Sequence, residues 1–439
     1  MKTKFFFYAS FFIMSVCTAV QCHKNTQELP EKANETSGNS IQNMEQLAAP
    51  IDSRAEVVPN QYVLLFNENI VPSFSNNPES SRFTNRDEKK RAADAYERLM
   101  EPKIRKLALD KLGITSDMTK AVFSTVATGM VVQLKSDHYE RLKSQLSQIR
   151  EVLVLAPDYV TKIEENNTSE QSTTTTNAMA GQVNSWGVDF VGSKNYVGIN
   201  WAWIMDTGID YNHPDLNVGV GLGANFSASL VGMLDLNGHG THVAGIIGAK
   251  NNNIGALGVA AGVAVIPVKV MNDNGTGNAS SAVLGLNHIA KFVFTGDVIN
   301  MSIGSTVIGA DKLFLEFCIF TISFQGAYVV MAAGNDGIHA NNQSPARLNG
   351  NRIFTISAAD EKLNLASYSN YGTGPVDFAA PGSNIYSTYK FGGYTKLSGT
   401  SMATPFVAGI LLANSGVIKT RGTLKTDKDA ILDPLAVLK

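Results

Sequence analysis

The spacing of apolar residues changes character along this chain. Tyr62-Val63-Leu64-Leu65-Phe66 reads as a strand. Arg86 to Leu112 places Ala93, Tyr96, Met100, Ile104 and Leu107 three or four apart, the spacing of one helix face, and Pro102 within it predicts a kink or a split. Val122 to Leu134 carries one or two strands. Asp137 with Glu140 predicts a capping-box start for a helix whose face is Tyr139, Leu142, Leu146 and Ile149. Val152 to Ile163 supplies a last strand. Strand, helix, strands, helix, strand over residues 58–163 fits a split βαβ sandwich.

From about Gln182 onward the apolar runs are short and continuous: Val263 to Ile266, Val298-Ile299, Tyr328 to Met331 and Ile353 to Ile356. Helix-compatible stretches and glycine turns lie between them. Strands apolar throughout and alternating with helices predict an α/β fold, a parallel sheet covered on both faces. Functional residues of such sheets gather at the carboxyl ends of the strands. Two polar stretches separate the parts. Residues 23–57 read as a linker, and Asn166 to Asn177, with its threonine run, as an exposed tether open to cutting.

Composition adds limits. Of 439 residues, 44% are hydrophobic and 17% charged, enough apolar material for a large core in two or three domains. A formal net charge of -2 gives no footprint for nucleic acid or an anionic membrane. Lys2, Lys4 and the apolar stretch Phe5 to Val20 read as an export signal within residues 1–22. Cleavage after Ala19 is one reading, and a lipoprotein signal with Cys22 as the lipidated residue is the other. Either predicts a secreted or cell-envelope protein. After loss of the leader Cys318 is the one remaining cysteine, so no internal disulfide is expected.

Four motifs carry candidate chemistry. Ile204-Met205-Asp206-Thr207-Gly208 runs an apolar strand into an acid, either a turn former or a catalytic carboxylate. Asn237-Gly238-His239-Gly240-Thr241-His242 offers two histidines three apart, either metal ligands or a base presented at a helix start. Gly399-Thr400-Ser401-Met402-Ala403-Thr404-Pro405 precedes a helical run, so Ser401 is either its N-cap or a nucleophile. Asn335, in Ala332-Ala333-Gly334-Asn335-Asp336-Gly337, is either a turn residue or an oxyanion donor. Together they supply an acid, a base and a nucleophile: a serine hydroxyl needs a base, and the base works best oriented by a carboxylate.

Asp-Thr-Gly, His-Gly-Thr-His-Val-Ala-Gly and Gly-Thr-Ser-Met-Ala-Thr-Pro, in that order, resemble the subtilisin (subtilase) family over roughly Gln182 to Ser415. The resemblance implies a secreted serine endopeptidase with a three-layer parallel-sheet catalytic domain, residues 181–439. Asp206 is then the orienting acid, His239 the base, Ser401 the nucleophile and Asn335 the oxyanion donor, with His242 structural. Residues 58–163 resemble the family's ferredoxin-like inhibitory propeptide, which implies a zymogen that processes itself near Ala180–Gly181, after a tether at 164–180. The family's substrate-binding edges map to Ser302, Ile303 and Gly304 and to Gly275, Thr276 and Gly277. Its structural Ca²⁺ loop maps to the side chains of Gln182, Asp215 and Asn252 and the carbonyls of Lys250, Ile254 and Ala256. Expected partners are protein or peptide substrates and the chain's own propeptide, and the expected state is a monomer. Phe406, Trp201, Trp203 and the aromatic run Phe314 to Phe324 depart from the family pattern. The rival readings are a catalytically silent binding protein of the same fold and a metal-dependent hydrolase using His239 and His242.

Overall fold

The computed structural model describes residues 56–163, 181–304 and 313–439. The expectations placed on the leader, most of the linker and the tether lie outside the described residues.

Residues 56–163 form β1 (Val57–Phe66), α1 (Arg86–Leu112), β2 (Thr119–Phe123), β3 (Gly129–Gln133), α2 (Ser136–Gln145) and β4 (Val152–Lys162). The strands pair antiparallel in the order β4-β1-β3-β2, the split βαβ arrangement that the pattern predicts. Two local expectations are corrected. First, α1 continues through Pro102. Proline removes one helical hydrogen bond, but this helix is strongly specified elsewhere. Asn85 caps its start by accepting from Asp87 N at 2.8 Å. Gly113 closes its end at φ 64°. Ion pairs four residues apart, Lys90–Asp94, Arg105–Glu101 and Lys106–Asp110, line its surface. Second, α2 has Lys135 at its cap position and no side-chain cap. The capping box fails because Asp137 already lies inside the first turn.

The larger unit is built on a parallel sheet. Its strands are β5 (Ala202–Asp206), β6 (Ala264–Lys269), β8 (Val298–Met301), β9 (Tyr328–Ala332), β10 (Ile353–Ala359), β11 (Phe378–Pro381) and β12 (Pro434–Val437), and the short β7 (Thr276–Asn278) stands apart from it. These seven run in the order β12-β11-β10-β9-β8-β5-β6, with the antiparallel Lys419–Thr423 outside β12 and the short Asn217–Val218 and Ala224–Asn225 beside β6. The chain therefore steps from β5 to β6 on one side, then crosses to β8 on the other. That reversal beside β5 is the switch point where such sheets open a crevice.

The helices are α3 (His239–Gly248), α4 (Ala279–Ala290), α5 (Leu313–Phe324) and α6 (Thr400–Ala413). Strand alternation divides them between the two faces. Ala202, Ile204, Val298 and Val330 pack with α3 and α6. Trp203, Met205, Ile299 and Met331 pack with α4 and α5. Each fully buried side chain of this size contributes roughly 1.5–3 kcal/mol.

The N-terminal sheet is covered twice as well. In β1, Tyr62, Leu64 and Phe66 face that unit's own helices, with Met100 and Ile104. Val63 and Leu65 face the other way and join Val283, Leu286, Phe314 and Ile319 of α4 and α5 in one continuous core. Tyr159 stacks on Phe314 with ring centroids 6.4 Å apart. Phe314, at the head of the aromatic run in α5, is therefore part of the surface on which the N-terminal unit sits, together with α4. The two units also share a sheet, because β7 pairs antiparallel with β4.

Candidate active site

Asp206 ends β5 and is fully buried. Its Oδ1 accepts the N–H of Thr207 at 2.7 Å, which fixes the carboxylate against the turn. His239 opens α3, and its Nδ1 lies 2.8 Å from Asp206 Oδ1 and 3.0 Å from Oδ2. Glycine makes this approach possible. A Cβ on Gly240 would stand 2.2 Å from the Gly208 carbonyl. Gly238, at φ 107°, has the Tyr389 ring where its Cβ would be.

Ser401 lies in the first turn of α6. The cap position belongs to Gly399, which corrects the N-cap reading of Ser401. Pro405, four residues on, has no N–H to give the Ser401 carbonyl. The Ser302 hydroxyl donates its O–H to that carbonyl instead, at 3.0 Å. Ser302 Oγ in turn accepts from Asn300 Nδ2 at 2.9 Å. Ser401 Oγ makes a long contact of 3.4 Å to the Ser302 carbonyl.

Asn335 follows β9, and its Oδ1 accepts from the Thr400 N–H at 2.8 Å and the Thr400 hydroxyl at 2.9 Å. These bonds orient the amide and turn Nδ2 towards the head of α6. A Cβ placed on Gly399 would lie 3.3 Å from Asn335 Nδ2 and 3.6 Å from the Ser401 nitrogen. Two N–H donors therefore border one small space that only glycine at 399 leaves open. Asp206, Asn335 and Ser302 all sit at or just past the carboxyl ends of β5, β9 and β8, as the sheet topology requires.

The two predicted substrate edges face one another across β4. Thr276, Gly277 and Asn278 pair with Lys162, Thr161 and Val160. Ile163 N donates to the Gly275 carbonyl at 2.9 Å, and Gly304 bridges Lys162. Ile303 is buried in the shared core.

Residues 203–415 match the Subtilase family. The thermostable alkaline protease of Halalkalibacterium halodurans is 40% identical over 242 residues, covering 54% of this chain and 63% of that protein. Subtilisin Savinase of Lederbergia lenta is 43% identical over 206 residues, covering 47% of this chain and 72% of that protein. Subtilisin DY of Bacillus licheniformis is 40% identical over 225 residues, 50% of this chain and 78% of that protein. The chain belongs to the subtilase family. The match spans less than two thirds of some relatives, among them the alkaline protease above and, at 51%, the M-protease of Shouchella clausii. A crystal structure of a cold adapted subtilisin-like serine proteinase is 30% identical, with 58% of this chain and 98% of that one covered at a TM-score of 0.49.

Other features of this subtilase were not visible in its motifs. His242 is buried, with Nε2 2.9 Å from the Ile385 carbonyl and 3.3 Å from that of Thr395. Burial and the nearby His239 hold its pKa down to about 3, so it is a neutral donor to backbone. The two histidines thus point to different partners rather than to a shared metal. Asp235, which no motif flagged, collects the N–H groups of Asn237, Gly238 and Thr241 together with the hydroxyls of Thr207 and Thr241. It anchors the loop that delivers His239. Lys269, fully buried at the end of β6, donates to the Leu234 carbonyl and to Asp273, fixing the same loop from below. The available signals were an aspartate two residues before Asn237 and a lysine in an apolar strand.

The expected calcium residues converge. The strand Gln182–Val183 pairs with Gly255–Ala256. The Gln182 amide reaches the carbonyls of Lys250 at 2.6 Å and Ala256 at 2.9 Å. Ile254 N donates to Asn252 Oδ1 at 3.2 Å, and the Asn252 side chain lies near the Asp215 carboxylate. Asp215 Oδ2 accepts from Ala256 N, yet Oδ1 is buried with no partner among the described residues. Burial pushes the Asp215 pKa up to about 6. A buried carboxylate oxygen beside two carbonyls and two carboxamides is the donor chemistry of a hard cation, so the residues fit Ca²⁺. Among the described residues no group of three or more His, Cys, Asp or Glu side chains is placed to hold a metal.

Proposed function

We propose that this subtilase is a serine endopeptidase made as a self-processing precursor and acting outside the cytoplasm. The observation that carries the reading is the Asp206–His239 contact at 2.8 Å on the same crevice as Ser401 and Asn335. Asp206 holds the Nδ1–H tautomer, which leaves Nε2 as the base. Ser401 Oγ gives up its weak contact to the Ser302 carbonyl, passes its proton to Nε2 and attacks the peptide carbonyl. Negative charge then develops on the substrate oxygen in the space bordered by Asn335 Nδ2 and the Ser401 N–H. Collapse returns the proton to the leaving amine, and water repeats the sequence to release the acid.

Residues 58–163 act as the propeptide. β4 already lies antiparallel on β7 and bridges Gly304, the two edges an extended peptide would use. Its Asp158 carboxylate accepts from Ser280 N at 2.9 Å at the start of α4, which adds a charge-assisted contact to the helix end. A bound Ca²⁺ would be held by Gln182, Asp215, Asn252 and the carbonyls of Lys250, Ile254 and Ala256, and would tie the start of the mature chain to its body. Cutting near Ala180–Gly181 would leave that start on the body, where Gln182–Val183 already pairs with Gly255–Ala256, and part it from the N-terminal unit. Among the described residues no helix is long and apolar enough to cross a membrane. Export rests on the N-terminal leader, with Cys22 as the point of any lipid anchor.

The test compares wild type with Ser401→Ala on casein. Loss of hydrolysis together with retention of precursor length is the expected result. An unchanged rate removes Ser401 as the nucleophile and returns the metal-dependent reading, whereas no hydrolysis by the wild type returns the silent-binder reading.

A further inference from the structure

Where α1 begins, the larger unit presents a socket shaped for one functional group. Asp297 immediately precedes β8, at the end of the sheet opposite Ser401, and its side chain is fully buried. Four groups of its own unit hold the carboxylate: Trp201 N at 3.0 Å, Phe294 N at 3.1 Å, Asn200 Nδ2 at 3.2 Å and Trp203 Nε1 at 3.4 Å. None of these is charged, and among the described residues the larger unit places no cation on the carboxylate. A buried charge left without its partner is strongly unfavourable.

Arg86 of the N-terminal unit supplies it. Its Nη1 lies 2.5 Å from Asp297 Oδ2 and its Nη2 2.8 Å from Oδ1, a two-pronged pairing. The same nitrogens donate to the carbonyls of Phe292 at 2.9 Å and Ile199 at 3.4 Å. The guanidinium plane stands 3.9 Å from the centroid of the Trp201 ring and 4.8 Å from that of Phe294. Carboxylate fork, flanking carbonyls and aromatic faces suit a flat five-donor cation, and a lysine ammonium satisfies only part of them.

We propose that Asp297, Trp201 and Phe294 form a guanidinium-binding site of the larger unit, remote from the cleft. Arg86 fills it in the precursor. Once the N-terminal unit has left, the site is open to another guanidinium group. That last step rests on the propeptide reading above, whereas the site itself does not. The bulky Trp201 and Trp203 before Asp206 then have a use: they wall and hydrogen-bond this socket.

The experiment uses the full chain carrying Ser401→Ala, so that neither catalysis nor processing enters. Adding Arg86→Ala should lower the thermal midpoint. Propylguanidinium in the millimolar range should restore it saturably and change the tryptophan fluorescence, while propylammonium at equal ionic strength should not. Equal effects of the two cations, or no fall on removing Arg86, overturn the proposal. If the alanine variant does not fold, Arg86→Lys carries the test. Its midpoint should fall below the parent's, and Asp297→Asn should erase the difference between arginine and lysine at position 86. A difference that survives in the Asp297→Asn background also overturns it. A working socket in an inactive, uncut chain and a dead socket in an active one are separate results, so this proposal and the protease reading fail independently.

Discussion

Ser302→Ala tests how the head of α6 is held. The Ser401 carbonyl has lost its usual helical donor to Pro405 and takes the Ser302 hydroxyl instead. The substitution deprives that buried carbonyl of its donor and Asn300 Nδ2 of its acceptor. Each orphaned buried group costs about 1–3 kcal/mol, so a total loss of roughly 2–4 kcal/mol is expected, part of it recovered by relaxation. Pro405→Ala restores an N–H four residues after Ser401. The same Ser302→Ala change in that background should therefore cost about 1 kcal/mol less, because one of the two orphans is paired again. Urea unfolding of the four chains, all in the Ser401→Ala background to prevent self-digestion, gives the coupling directly. In active chains the turnover number should fall with Ser302→Ala more than KM rises, since the change tilts Ser401. Strictly additive stabilities would refute the reasoning, for they would mean that the serine and the proline do not act on the same carbonyl.

Asn335→Leu should lower the turnover number by about two to three orders of magnitude with KM nearly unchanged, the scale of one oxyanion donor, for which subtilisin is the standard case; a rate within a few-fold of wild type on a peptide anilide would remove Asn335 from that role. Chelation by EGTA should lower the thermal midpoint of the wild-type chain and leave that of Asp215→Asn, already lower, almost unmoved; equal shifts in both would place any calcium elsewhere. Lys89 is buried between the units and donates to the Val293 carbonyl and Gln325, and desolvation lowers its pKa to about 8. A lysine that titrates lower when folded adds stability above its free value, near ~10.4, and loses it as pH falls through the folded one. The intact Ser401→Ala chain should therefore gain stability from about pH 8 upward, and Lys89→Met should flatten that rise in a pH series of thermal midpoints.

Most of the sheet could be read from the chain because its signal is local. Val298-Ile299 and Ile353 to Ile356 are apolar on both faces only if helices cover both, and they do. The motifs around Asp206, His239 and Ser401 were legible because each needs its own glycines and turn within a few residues. What escaped was decided at long range. Asp297 and Arg86 are 211 positions apart, and nothing near either residue announces the other. Pro102 does not split α1, because propensity is a weak prior against a capped, charge-paired helix with a buried face. Ser401 was read as a possible cap because Pro405 suggested a later helix start, whereas the proline lies inside the helix and a tertiary hydroxyl absorbs the cost. The terminal strand β12 follows loop residues with no periodic approach and is defined by its neighbours, β11 on one side and the antiparallel segment Lys419–Thr423 on the other.

Under the proposed processing, separation of the two units breaks the shared β4–β7 pairing. Once severed and pulled away, the smaller piece carries a raw strand border and a greasy face formed by Val63, Leu65, Phe123 and Val131, all at 3% exposure or less while docked. Such a fragment has reason to clump or be digested rather than return. Under the proposed processing, the product of the first cut is in this sense discarded, and the body it leaves is not readily covered by it again.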